Sequence, residues 1–218
     1  MSCDCEEFAP RRKKYTYAAS AGPEAAKIAG MAVVFTTSYL QDSIAVFRQY
    51  KKLAESAIEQ VSDSQLSATL DPEMNSIALL VKHLAGNMRS RWTDFLTSDG
   101  EKPDRDRDSE FVAPPRNRAE LLELWEDGWS RLFSALQPLT DADLTQTVMI
   151  RGESHSVMQA INRQLAHYAS HCGQIIFLAK HWQHEHWKSL SIPRGKSAEF
   201  NRRLDENRRT SSSASEGL

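Results

Sequence analysis

Seven histidines are spread through the 218 residues, and two of them, His167 and His171, stand four apart in the run HYASHCGQ. On a helix that spacing stacks two imidazoles on one face, where both can bite a divalent metal. The same spacing also occurs in helices whose histidines are simply hydrogen-bonded in a packed core, so the pair alone leaves both readings open. His83 lies in a second apolar-periodic run, between Leu80 and Leu84. Both sets flank apolar stripes and should look inward. No Asp or Glu stands three or four residues from His167 or His171, so nothing on that face neutralises them. A metal shared by His83, His167 and His171 would remove the cost of burying unpaired imidazoles. Three protein ligands leave a coordination position open, which is the pattern of a catalytic site.

The polar residues near these positions are candidates for orienting an imidazole or a substrate. Asn87 lies one turn after His83, and Gln164 and Gln174 lie three residues outside the pair. They could equally be surface amides. Arg151 and Arg163 could meet an anionic group at the mouth, or Arg151 could pair with Glu153. Cys172 sits about 100° round the helix from His171 and reads as a small core residue. His181, His184 and His186 form a cluster that suits a helix C-terminus.

Four runs of helical periodicity must hold these residues. Apolar residues at 40, 44, 47, 50, 54, 58 and 61 mark the first, within residues 33–61. The second contains Ile77, Leu80, Val81, Leu84, Met88, Trp92 and Phe95, with Asn75 as its expected cap. In the third, Leu121, Leu122, Trp125, Trp129, Leu132, Phe133 and Leu136 follow Asn117 and Glu120, which stand as cap and capping partner. Pro138 ends it. The fourth opens on the capping-box sequence Ser156-Val-Met-Gln159 and runs to about Trp182. Each helix has one apolar stripe, so the economical fold is all-α, a four-helix bundle. The connections, roughly 62–74, 98–116 and 138–155, are long enough to permit parallel neighbours. In the last, TVMI followed by Gly152 can form a small hairpin.

The chain is long enough for one domain with a full core. Its formal net charge of −2 carries no basic excess that would indicate nucleic acid. The apolar stretch at residues 28–39 is too short to span a membrane. Glu24 and Lys27 interrupt any signal-like segment, so residues 1–30 read as an unstructured extension, Cys3 and Cys5 within it. Three cysteines make no disulfide framework and fit a reducing cytoplasm. Arg194-Gly195-Lys196-Ser197 lacks the upstream glycine of a phosphate-binding loop. The domain is expected over 31–204 and a disordered tail over 205–218.

The residues resemble a known group. NSIALLVKHLAGNMRSRW, HYASHCGQIIFLAKHW and the long crossovers are similar to the DinB/YfiT-like superfamily of metalloenzymes. RSRWTDFLTSDGEKP, IRGESHSVMQAINRQLAHY and LSIPRGKSAEFN are closer still to one uncharacterised bacterial branch of it, a domain of unknown function, over residues 31–203. The resemblance implies an up-up-down-down four-helix bundle, a homodimer, and a divalent metal, zinc or nickel, on His83, His167 and His171. It also implies a thiol-dependent transferase that activates a low-molecular-weight thiol against a small-molecule substrate. A metal-hydroxide hydrolase would use the same ligands, but no carboxylate is placed as its general base. A non-catalytic metal-binding or dimerisation module is the alternative from another class. No nucleic-acid or membrane partner is expected.

Overall fold

The structure is a computed structural model and describes residues 35–215, with side chains to residue 207. The expected extension over 1–30, with Cys3 and Cys5, lies outside the described residues.

Helix α1 (Tyr39–Ile58) begins where Ser38 takes the backbone N–H of Gln41, later than the apolar pattern alone suggested. A short helix, α2 (Asp63–Ser67), follows within the first connection. Helix α3 (Ile77–Trp92) is capped by Ser76, not by Asn75: the Ser76 hydroxyl accepts from Leu79 N at 3.2 Å. Helix α4 (Arg118–Leu136) starts on Asn117, whose side chain accepts from Glu120 N at 2.9 Å. Strands β1 (Thr147–Ile150) and β2 (Glu153–Ser156) form the antiparallel hairpin. Its two-residue turn has positive φ at Arg151 (56°) and Gly152 (74°), the geometry of the tightest hairpin loops. Helix α5 (Val157–Gln183) then starts on the Ser156–Gln159 capping box. Helix α6 (Ser197–Ser215) is helical where an unstructured tail was expected from 205; Glu199 supports its first turns by pairing with Lys196 and Arg203.

The described residues are therefore mainly helical, with one two-stranded sheet. Helices α1, α3, α4 and α5 converge on a core of large rings. Phe47, Trp92, Trp129 and Tyr168 meet edge-on or tilted, with centroids 5.8–6.4 Å apart around Phe47. Burying each such side chain is worth about 1.5–3 kcal/mol or more, and edge-on geometry adds to that. Leu122, assigned to the apolar stripe of α4, is instead exposed.

Side-chain contacts settle the directions. Tyr39 bonds Asn162, and Gln60 bonds Lys188, so α1 and α5 run parallel. His83 meets His171 while Asn87 meets Tyr168, so α3 runs opposite to α5. Trp125 bonds Glu55 and Arg118 bonds Ile58 O, so α4 runs opposite to α1. In chain order the four long helices go up, down, down, up, which corrects the up-up-down-down order implied by the resemblance. The reason lies in the links. Residues 59–76 and 137–156 each turn back at one end, and only residues 93–117 run the length of the helices to join parallel neighbours.

That long link lies along α3. Glu101 meets Arg91 near the C-terminal end of α3, Glu110 meets His83 near its middle, and Lys82 holds the carbonyls of Ser109 and Ala113. Among the described residues, no helix is long and apolar enough to cross a membrane.

Candidate metal centre

His83, on α3, is 4% exposed. His167 and His171, one turn apart on α5, are half-buried. The antiparallel packing of α3 and α5 brings all three together. His83 Nε2 is 3.3 Å from His167 Nε2, and His171 Nε2 is 3.1 Å from the same atom. These three ligand atoms lie within 4.8 Å of one another. A tetrahedral zinc with nitrogens at about 2.0–2.1 Å requires nitrogens about 3.3–3.4 Å apart. The two distances to His167 Nε2 are close to that spacing.

The outer ring nitrogens explain why the inner ones face each other. His83 Nδ1 is 2.8 Å from Glu110 Oε2, and His171 Nδ1 is 2.8 Å from Gln174 Oε1. A carboxylate and an amide oxygen both accept, so each Nδ1 carries the proton and donates it. The Nε2 atoms of His83 and His171 therefore present lone pairs to the centre. His167 has one Nε2 and can satisfy only one of them with a proton. Burial and the neighbouring His171 and His83 hold the His167 imidazole down to about 3, so it adds no positive charge of its own at neutral pH. Burial likewise lowers His171, against the opposing Gln174 hydrogen bond. Such a donor set could hold a cation, and imidazoles oriented from behind by oxygen acceptors are how metal-bound histidines are commonly held.

No carboxylate meets His167 or His171, as their helical spacing indicated, but Glu110 meets His83. It arrives from the crossover rather than from either histidine helix, which is why helical spacing missed it. It is 5% exposed, and Arg105 clamps it with Nε at 2.8 Å from Oε1 and Nη2 at 3.0 Å from Oε2. Burial raises the Glu110 carboxyl, but its hydrogen bonds with His83 and Arg105 and their charges outweigh that and leave it below the ordinary range. Phe111, the next residue, stacks on the His83 ring at 4.7 Å between centroids. The acid beside Phe111, in an otherwise polar stretch, was the one sequence signal that this part of the link enters the core.

The remaining candidates divide. Gln174 orients His171. Asn87 lines the cavity beside the histidines, and its Oδ1 accepts from the buried Tyr168 hydroxyl at 3.0 Å. Gln164 is buried in the cavity wall with its Oε1 unpartnered. Arg151 also lines the cavity, but it bonds Glu101 at 3.2 Å rather than Glu153, because the hairpin turn projects it toward the crossover. Cys172 is fully buried in the core, and burial pushes its thiol up to about 12, so it is neither ligand nor nucleophile. His181 packs against Trp182 and His184 at the far end of α5, and no metal-ligating group among the described residues includes it.

The histidines open onto a cavity of about 690 Å³, a volume suited to a small organic molecule. Among the described residues, the wall carries arginines, amides and Phe111, and no carboxylate.

Fold and site together describe a helical domain with a three-histidine group that could hold a metal ion. Residues 34–196 match the family described as "Protein of unknown function (DUF1572)", and the chain belongs to that family. No curated protein and no solved structure matches the chain.

Proposed function

We propose that this protein is a four-helix-bundle metalloenzyme of the DinB kind, a thiol-dependent transferase with one divalent cation, zinc or nickel, on His83, His167 and His171. The observation that carries the reading is the inward-facing set of Nε2 atoms, whose lone pairs are directed by Glu110 and Gln174 from outside. When bound, the cation would lower the pKa of a small thiol and make it nucleophilic at neutral pH. The transfer forms a carbon–sulfur bond to an electrophile, whose leaving group departs with the bonding pair, and the thiol proton passes to solvent. The chain's own contribution is orientation and shelter. Glu110 and Gln174 hold two imidazoles in one tautomer, Phe111 covers His83, and the cavity accepts the reactants.

Water activation would use the same histidines. Among the described residues no carboxylate lines the cavity as its general base, and Glu110 sits behind His83, so the hydrolase reading has less support. A homodimer is part of the same proposal and is checked by light scattering.

The test begins with metal content in untagged protein. One equivalent is expected, falling close to zero in His83→Ala; retention near one in that variant would sink the three-ligand site. Thiol consumption is then followed with a panel of electrophiles. Turnover that disappears with the metal supports the transferase. Metal binding without turnover on any thiol would make the protein a non-catalytic metal-binding module.

A further inference from the structure

Five arginines line the cavity in front of the histidines, and their partners divide them into two groups. Arg91 and Arg105 are structural in part. Their side chains are 5% exposed, Glu101 lies 2.9 Å from Arg91, and Glu110 is clamped by Arg105. Glu101 is also the carboxylate that Arg151 meets, so one acid answers three guanidinium groups. Arg107 and Arg163 line the same cavity with no ion-pair partner among the described residues. Asp104, Asp106 and Asp108 alternate with the crossover arginines, but none lines the cavity, and Asp106 is turned to Ser109 N. The cavity face therefore carries an excess of positive charge before any metal is counted.

Geometry gives that charge a direction. Arg163 precedes His167 by one turn on α5, so the arginine and both histidines share one helix face. Arg107 lies over the Phe111 ring at 5.1 Å, and Phe111 in turn stacks on His83. The hairpin turn holds Arg151, with its backbone N–H bonded to Asp99 at 2.8 Å. Three separate elements thus converge arginines on one opening. Within the wall, Arg91 Nε and Gln164 Oε1 are buried without a hydrogen-bond partner.

We propose that the cavity takes a small organic anion, with its carboxylate or phosphate between Arg107, Arg151 and Arg163 and its reactive part turned toward the histidines. This rests on the reading of the histidines as the reacting centre, but only for the ligand's orientation. Arginine is suited to the task because its planar fork meets carboxylate or phosphate oxygens in pairs. The cavity volume has room for a carbon skeleton as well as a bare anion.

The full chain, zinc-loaded, is titrated calorimetrically with succinate, with inorganic phosphate, and with succinamide as the neutral counterpart. Zinc content is measured on the same samples. At least one anion is expected to bind and succinamide is not; which anion binds identifies the headgroup. The Arg107→Gln/Arg163→Gln double variant should lose affinity by about 10-fold or more, the scale of charge-assisted hydrogen bonds, with zinc content unchanged. Binding of neither anion, or equal binding to protein and variant, with zinc near one equivalent, overturns the inference and leaves the metal site standing. Arginine-dependent binding in a protein that takes no zinc does the reverse.

Discussion

Glu110 Oε2 stands 2.8 Å from His83 Nδ1, across the imidazole from the Nε2 that meets His167. A carboxylate from the crossover thus sets the direction of a lone pair at the centre of the protein. Glu110→Gln keeps the side chain's size and removes its charge. Metal affinity should fall about 10–100-fold, as when other outer partners of metal-bound histidines are removed, while saturating metal still gives one equivalent. Competition against a chromophoric chelator measures this. An unchanged Kd would mean that the carboxylate does not act through His83. Glu110→Ala should also destabilise the fold in urea unfolding, by less than the ~3–5 kcal/mol of a fully stranded charge, since the buried Arg105 keeps Glu101 at 3.4 Å.

Gly86 offers an independent approach to the same contact. A Cβ built there would lie 2.8 Å from Glu110 Cδ, too close to coexist with the present geometry. Gly to Ala within a helix normally stabilises by about 1 kcal/mol. Here the methyl group should push Glu110 away from His83, so Gly86→Ala is expected to weaken metal binding with no rise in Tm. A higher Tm with full metal affinity would show that the crossover yields without moving the carboxylate.

Tyr168 separates support of the core from support of the metal. Its hydroxyl accepts from Trp92 Nε1 at 2.9 Å and donates to Asn87 Oδ1 at 3.0 Å, and the whole side chain is buried. Tyr168→Phe leaves a buried donor and a buried acceptor without their partner, at a cost of about 1–3 kcal/mol. Metal affinity should be unchanged, because Asn87 is turned to the tyrosine. A weakened metal site in this variant would give Asn87 a direct part in it.

Acid should loosen the crossover. Burial raises the Glu101 carboxyl, but the Arg91 hydrogen bond and the charges of Arg105 and Arg91 outweigh it, and the net effect is a lowered pKa. A carboxyl held lower in the folded state contributes stability that is fully present above its unfolded pKa of about 4.3 and is lost as pH falls through the folded value. Urea midpoints should therefore drop below about pH 4.5, and Glu101→Gln should be less stable at pH 7 with a shallower acid decline. An identical pH profile in the variant would show that other carboxylates carry the acid response.

Much of the helical framework was legible because its signals are local. Ser156 and Gln159 cap α5 as a capping box, Asn117 caps α4, and TVMI with Gly152 makes the hairpin. The cap of α3 was misplaced by one residue because Asn75 and Ser76 are both competent caps, and side-chain orientation chose between them. His167 and His171 were visible as a pair because helical periodicity places them on one face. His83 was visible only as a histidine beside core positions.

The sequence by itself determined which stretches become the four core helices, most of the residues they bury, and that two histidines share one face, because periodicity and caps act over a few residues. Only the tertiary structure decided what meets that pair. The direction of α3 against α5 brings in His83, and the single long link running back along α3 brings in Glu110, Arg105 and Arg107. Those contacts join residues that are dozens of positions apart. They follow from how four apolar stripes and their links are arranged around one core, which no local pattern encodes.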